Sequence, residues 1–276
     1  MAGLVEATAM VLTDDGSVAT LDPAWDIWGP AGGYIAAIAL GAVRTHADAG
    51  HRPVTLTGQF VRVAGPGQLD VEVARVKTGG TALLAVTLSQ QGRPVFQAQV
   101  WTTARSDASL PVTPVMPSVP PPHGLCGQGD LMADRGVEQI AFWQNLEGRP
   151  VNFRLADDPP AIDTRQYRWM RFREWAPSDD PFLEAMRYVL LIDIGIWPAH
   201  WHRQSERAAY LAPSLDVWAH FHGGPSAGEW LLSDADADVS GHGTISGRVR
   251  IWSEDGYAVA TGGGNCLVTV PRTRTA

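Results

Sequence analysis

The sequence has few of the features that build cross-linked or membrane-anchored proteins. Its 276 residues include two cysteines, Cys126 and Cys266, which are too few for a disulfide scaffold or a four-cysteine zinc module. No apolar run approaches the ~20 residues of a transmembrane helix. The N-terminus lacks the basic start and long apolar stretch of a signal peptide. These absences predict a soluble, cytoplasmic protein without a membrane span.

Positive charge is also scarce. Lys77 is the only lysine beside twenty arginines, and 29 acidic residues bring the net charge to −8. An acidic balance disfavours nucleic acid and anionic membranes as general partners. With 45% hydrophobic residues, the chain can bury a core of its own, as one large domain or two small ones.

Proline is concentrated in residues 107–124, at positions 111, 114, 117, 120, 121 and 122. Proline at this density interrupts helices and strand ladders and favours an extended path. We therefore predict a proline-rich linker at 107–136. It would join an N-terminal domain, residues 1–106, to a C-terminal domain, residues 137–276.

The two halves resemble each other at an offset of about 160 residues. Each has strand-like segments separated by turns, at Gly80-Thr81 and Gly92 in the first half and at Gly243-Thr244 and Gly256 in the second. Each also has one helix before these strands, at 32–47 and 181–201, and Asp180 can cap the second. Both helices are apolar nearly all round, which predicts burial. The predicted fold class is therefore α+β, with two tandem units that each consist of one buried helix wrapped by an antiparallel sheet.

Asp193 is the residue that points most directly to chemistry, because it lies within the apolar run Val189 to Trp197. A buried carboxylate has a raised pKa, which suits a general base. The alternative is a structural aspartate that caps a helix or turn.

Other polar and glycine positions are weaker candidates. Asn265 follows three glycines after a strand, where the backbone can approach a ligand closely or simply turn. Gly32 and Gly33 open the first helix, where free N–H groups can hold an oxyanion, although close helix packing explains the pair equally well.

Two alternative chemistries receive little support. The pairs His200/His202 and His220/His222 lack an acidic or cysteine ligand at regular spacing, so we predict no metal site. Ser226 lies in a G-x-S-x-G sequence, but a strand rather than the required helix is predicted after it.

Taken in order, several motifs resemble the acyl-CoA thioesterase II family of double hotdog proteins. They are residues 28–34 before the first helix, residues 60–67, the helix with Asp193, Ser214-Leu215-Asp216, and the strand that ends at Asn265. The resemblance covers about 20–105 and 140–270 and implies a double hotdog fold. It also implies hydrolysis of an acyl-CoA, or of an acyl-carrier thioester, without a metal, cofactor or covalent intermediate.

The resemblance further implies that three side chains hold a water, namely an aspartate, a threonine and a glutamine. The aspartate falls on Asp193 and the threonine on Ser214. The glutamine falls on Asn265 if the glycine triplet adds a bulged residue; without the bulge it falls on Gly264, and the amide is missing. Gly32, Gly33 and Gly264 are the backbone positions expected at the oxyanion and substrate.

The substitutions at Ser214 and Asn265 keep a second function open, that of a non-catalytic protein that binds an acyl group or acyl-CoA on the same fold. A serine hydrolase at Ser226 is a third. Arg62 and Arg75 are candidates for contacting CoA, and pairing of exposed sheets and edges would produce a homo-oligomer. Five tryptophans near these elements are candidates for lining an acyl tunnel, or for core packing: Trp25, Trp28, Trp197, Trp201 and Trp218.

Overall fold

The computed structural model describes residues 3–13, 16–105, 114–155, 157–161, 163, 165–176, 178–204, 210–223 and 228–270. Within them the helices are α1 (Leu4–Ala7), α2 (Gly32–His46), α3 (Gln128–Ala133) and α4 (Pro181–Trp201). The strands of the first half are β1 (Met10–Thr13), β2 (Gly16–Leu21), β3 (Arg52–Phe60), β4 (Gly67–Lys77), β5 (Thr81–Gln90) and β6 (Arg93–Thr103). Those of the second half are β7 (Leu146–Pro150), β8 (Arg165–Phe172), β9 (Asp216–Phe221), β10 (Trp230–Gly241), β11 (Thr244–Ser253) and β12 (Ala258–Leu267).

All twelve strands form one antiparallel sheet in the order β1-β2-β4-β5-β6-β3-β9-β12-β11-β10-β8-β7. Strands of the first half occupy one side and strands of the second half the other. They are joined where β3 pairs with β9, from Thr55 opposite His220 to Gln59 opposite Asp216. The predicted α+β class, with one long buried helix in each half, is confirmed, and the pairing of β3 with β9 joins the strands of the two halves into one sheet.

The predicted turns also recur in the structure. The strands β4-β5-β6 and β10-β11-β12 follow the same up-and-down order. Gly92 and Gly256 both have positive φ angles, of 71° and 86°, which glycine adopts without the steric cost that a side chain brings. The shared turn spacing therefore reflects a shared supersecondary structure.

The two long helices are buried as their apolar sequences predict. Helix α4 begins and ends at the predicted residues, and the Asp180 carboxylate accepts a 2.9 Å hydrogen bond from the Phe182 N–H as its N-cap. The same carboxylate accepts a 2.6 Å bond from Arg44 in the last turn of α2, so it also ties the two helices together. Among the described residues, no helix is long and apolar enough to cross a membrane.

Glycines allow α4 to lie unusually close to its neighbours on two sides. A Cβ placed at Gly33 of α2 would lie 2.6 Å from Leu190 Cα. A Cβ at Gly262 of β12 would lie 2.9 Å from the Ile192 side chain. Both distances are shorter than a van der Waals contact. Any residue other than glycine at these two positions would push α4 away from α2 or from the sheet.

The described part of the predicted linker lies against the outer face of the sheet, on strands of the second half. Met116, Val119 and Leu125 pack on a cluster of Trp169, Trp230, Leu232 and Trp252. The Trp169 indole N–H donates a 2.9 Å bond to the Pro120 carbonyl. The segment thus covers apolar surface, and its later part includes α3; residues 106–113 lie outside the described part of the chain.

Candidate active site

Asp193 occupies the contact between the two halves of the chain. It lies on α4, and 8% of the residue is exposed. Its Oδ2 accepts a 2.7 Å hydrogen bond from the backbone N–H of Gly33, and its Oδ1 accepts a 2.7 Å bond from the Ser214 hydroxyl. The structure therefore brings three of the predicted site residues together, from α2, α4 and the segment before β9.

Burial decides the protonation behaviour of Asp193. Desolvation raises the pKa of its carboxyl above the ordinary value, while the hydrogen bonds from Ser214 and Gly33 pull the pKa back down. The carboxylate is thus a stronger base than a solvated aspartate, yet both of its oxygens are stabilised by a donor. This balance is what a general base requires near neutral pH.

Gly32 lets the start of α2 lie directly against this carboxylate. A Cβ at that position would lie 2.9 and 3.0 Å from the two carboxylate oxygens, and 2.8 Å from Cζ of Phe60. The Phe60 ring, which lies 4.8 Å from the Phe96 ring between centroids, is the other close neighbour of this position. Any side chain at position 32 would therefore displace the Asp193 carboxylate or the Phe60 ring.

The two backbone N–H groups at the start of α2 have different partners. The Gly33 N–H donates to Asp193 and is not free for an oxyanion. The Gly32 N–H has no acceptor among the described residues, and it lies at the positive end of the helix dipole. Of the two, the Gly32 N–H is therefore the one left to donate to another group.

Ser214 is positioned by a short antiparallel stretch. It forms an isolated bridge with Cys266, and the Leu211 and Thr269 backbones pair a few residues away. The Cys266 thiol is buried, and desolvation together with the nearby Asp193 charge raises its pKa to about 12. This neutral thiol beside the site was not predicted from the sequence. Cys266 follows Gly264 by two residues, and residues two apart on a strand face the same side, so this spacing could have indicated it.

Asn265 does not reach Asp193. Its side-chain amide donates a 3.0 Å bond to Asp216 Oδ2, and its backbone N–H donates a 2.8 Å bond to Asp216 Oδ1. The β11–β12 ladder runs without a bulge from Gly262 to Asn265, so the carried-over amide position is Gly264. A Cβ there would lie 2.4 Å from the Asp216 carbonyl oxygen, which leaves no room for a glutamine.

The five tryptophans proposed for an acyl tunnel separate into three places. Trp25 is 1% exposed and stacks on Tyr34 in the core, while Trp218 contacts His220 on β9. Trp28 contacts Trp197 edge-on at 5.5 Å, and Trp197 stacks on Trp201 at 6.0 Å. Because Trp197 follows Asp193 by one helical turn, only this last group borders the site.

The remaining candidates lie elsewhere. His200 contacts the Tyr210 hydroxyl and His222 contacts Thr261, and no cluster of three metal-ligating side chains occurs in the described ranges. Cys126 is exposed and unpaired. Ser226, with residues 224–227, lies outside the described part of the chain.

Comparison with known proteins identifies a domain family for each half of the chain. Residues 21–103 match the model of the acyl-CoA thioesterase N-terminal domain, and residues 127–267 match that of the acyl-CoA thioesterase C-terminal domain. A search of curated proteins finds no significant match.

Solved structures share the fold over nearly the whole chain. A hot dog fold protein of unknown function from Alicyclobacillus acidocaldarius is 23% identical, with a TM-score of 0.81 over 97% of this chain and 98% of that one. An acyl-CoA thioesterase II from Mycobacterium marinum is 22% identical, with a TM-score of 0.79 over 98% and 99%. At such identities these structures show the double hotdog fold alone. The two domain matches go further, and by them this chain belongs to the acyl-CoA thioesterase family.

Proposed function

We propose that this chain hydrolyses an acyl-CoA thioester to a free acid and CoA, with Asp193 as the general base. The observation that carries the proposal is the buried Asp193 carboxylate, held at both oxygens by Gly33 and Ser214 and lying against Gly32 at the start of α2. Membership of the acyl-CoA thioesterase family supports the substrate class.

The reaction follows from these groups in two steps. A water beside Asp193 gives a proton to the carboxylate as its oxygen bonds to the thioester carbonyl carbon. The carbonyl oxygen takes up the negative charge next to the Gly32 N–H, and one such donor is worth ~3–4 kcal/mol. The C–S bond then breaks, the thiolate leaves with its electron pair, and the proton held by Asp193 returns to it or to solvent.

Ser214 has two tasks in this scheme. Its hydroxyl proton is donated to Asp193 Oδ1, so its oxygen lone pairs remain to accept a hydrogen bond from the attacking water. We assign Asn265 a positioning role, because its bonds to Asp216 fix the backbone that carries Ser214. This replaces the direct water contact expected for Asn265 from the sequence.

One observation favours a second candidate function, the binding of acyl groups without turnover. Gly264 occupies the position expected for an amide, so the water has one polar partner fewer than the family pattern implies. Misplacing a reacting group by ~1 Å can cost ~100-fold in rate. A protein with this arrangement could hold a thioester and hydrolyse it slowly.

The direct test is thiol release by the wild-type protein from acyl-CoAs of short, medium, long and aromatic acyl groups. Turnover that peaks at one class of acyl group supports the thioesterase. Binding of the same compounds without thiol release would favour the second candidate. Labelling of Ser226 by a serine-directed phosphonate would contradict the water mechanism.

A further inference from the structure

We propose that this protein binds one chloride-sized anion between α4 and the inner face of strands β8 and β10, with Arg168, Gln166 and Ser233 as donors. A small cavity lies at this place, also lined by Met170, Leu191, Ile194, Gly195 and Pro198. Neither the thioesterase reaction nor the Asp193 site uses these three polar residues.

Arg168 reaches the interior because of the alternation along β8. Tyr167 and Trp169 face the outer cluster under the linker segment, so Arg168 faces α4 from the opposite side of the sheet. It lies directly across from Ser233 of β10 in the ladder. The neighbouring inward-facing residues, Met170 and Leu231, are apolar and belong to the core. An apolar residue would therefore be expected at position 168 as well, and an arginine stands there instead.

The half-buried Arg168 guanidinium lies 5.4 Å from the centroid of the Trp143 ring, and it has no acid to balance its charge. Its Nη2 donates a 3.3 Å bond to Gln166 Oε1, and its Nε is buried without a hydrogen-bond partner. No carboxylate lies within ion-pair distance among the described residues, whereas the buried Arg187 pairs with Glu184 at 3.1 Å. Desolvation lowers the pKa of Arg168 to about 10, so the group is still a cation at neutral pH.

The cavity offers hydrogen-bond donors of the kind that suit an anion. Because Gln166 Oε1 accepts from Arg168, the Gln166 amide nitrogen is left to donate, beside the free Arg168 Nε–H and the Ser233 hydroxyl. Arg154 adds positive charge nearby, because burial and the charges of Arg154 and Arg168 together lower the pKa of His202. His202 itself is therefore neutral.

The size of the cavity selects the ligand. Its interior has room for about one water-sized group, which suits a monatomic anion better than a phosphate. A water would fit as well, but it would not balance the Arg168 charge, as a monatomic anion does. The surrounding Leu191 and Pro198 suit a weakly hydrated halide.

Two measurements test the site. The Tm is measured in sodium chloride and in sodium gluconate at equal ionic strength, for wild type, Arg168→Gln and Arg75→Gln. We expect a saturable rise in Tm with chloride, on the order of 2–4 °C at several times the Kd. The rise should be lost in Arg168→Gln and kept in Arg75→Gln, whose exposed arginine pairs with Asp48.

Crystals soaked in sodium bromide provide a direct readout that does not depend on a variant. An anomalous peak between Arg168 Nε and Ser233 Oγ is expected. Equal Tm values in the two anions, or a water at this position without an anomalous peak, would overturn the proposal. If Arg168→Gln does not fold, Ser233→Ala replaces it, with a weaker chloride response expected.

Discussion

The backbone N–H of Gly33 donates a 2.7 Å hydrogen bond to Oδ2 of Asp193, a residue 160 positions later in the chain. The donor begins the helix of the first half, and the acceptor lies within the helix of the second. Each half therefore contributes a part of the candidate site that the other half lacks. This contact gives the tandem arrangement a chemical reason, because separating the halves would leave the carboxylate without its backbone donor.

Gly33→Ala should disrupt this contact strongly. The added Cβ would lie 2.6 Å from Leu190 Cα and 2.9 Å from Leu190 O, and backbone atoms cannot rotate away. We expect a loss of ~1–3 kcal/mol in the free energy of unfolding, measured by urea denaturation, together with a loss of thioesterase activity.

Gly41→Ala on the same helix is the matched control. Its Cβ would meet the flexible Met186 Cε at 3.3 Å, and alanine is favoured over glycine in a helix by ~1 kcal/mol. Near-neutral stability is therefore expected. Equal destabilisation by both substitutions would show that the close approach at Gly33 has no special importance.

Ser214→Ala should move the pH dependence of kcat/KM. The Ser214 hydrogen bond stabilises the charged form of Asp193 and lowers its pKa, against the effect of burial. Without the bond the pKa rises further, and the base becomes active only at higher pH. The acid limb of the profile should shift to higher pH, and Ser214→Thr should restore it. An acid limb that does not shift in Ser214→Ala would show that Ser214 does not influence the pKa of the catalytic base.

Much of this architecture could be predicted from local pattern. The apolar helix with Asp180 and Pro181 at its start begins and ends where predicted, because capping and burial are read from neighbouring residues. The glycine turns behave likewise. The pairing of β3 with β9, which joins the halves into one sheet, could not be predicted, since it depends on how two distant segments pack.

The site shows the same division. Asp193 could be predicted because a carboxylate within an apolar run is conspicuous. The placement of Asn265 could not, because one residue of register decides which side of β12 faces the site. The ladder lacks the bulge that the prediction required, so the amide lies against Asp216 and the Cys266 thiol lies near Asp193.

Trp28→Ala should change acyl specificity. Trp28 is 45% exposed and contacts Trp197, one turn from Asp193. Since α2 and α4 touch at Gly33 and Leu190, we propose that the acyl group lies toward these indoles rather than between the helices. We expect kcat/KM to fall ~10-fold for large acyl groups and little for acetyl-CoA.

Trp101→Ala is the matched control, because this indole is 39% exposed on β6, far along the chain from Asp193. It should leave kcat/KM unchanged for both kinds of substrate. An equal loss for large acyl groups and acetyl-CoA in Trp28→Ala would contradict a role of Trp28 in acyl specificity.

Arg62→Ala should weaken binding of the CoA moiety. Arg62 follows Phe60 by two residues. Its guanidinium donates only to the Pro94 carbonyl, without an acidic partner in the described chain, whereas Arg75 is engaged by Asp48. KM for an acyl-CoA should rise ~5–10-fold in Arg62→Ala. It should be unchanged for the N-acetylcysteamine thioester, which lacks the phosphates, and Arg75→Ala should leave both values alone. Equal effects on the two substrates would remove Arg62 from the CoA site.

The assignment of Asp193 as the base is tested most directly by comparing thiol release by the wild type and by Asp193→Asn on the same acyl-CoA. Asparagine can accept from Gly33 and donate to Ser214, so the geometry is preserved. The raised pKa of Asp193 makes the native fold lose stability as pH rises above the ordinary aspartate value. The variant should therefore be at least as stable as wild type at neutral pH. We predict a fall of at least ~100-fold in kcat/KM with an undiminished Tm; hydrolysis at the wild-type rate by the folded variant would contradict the account.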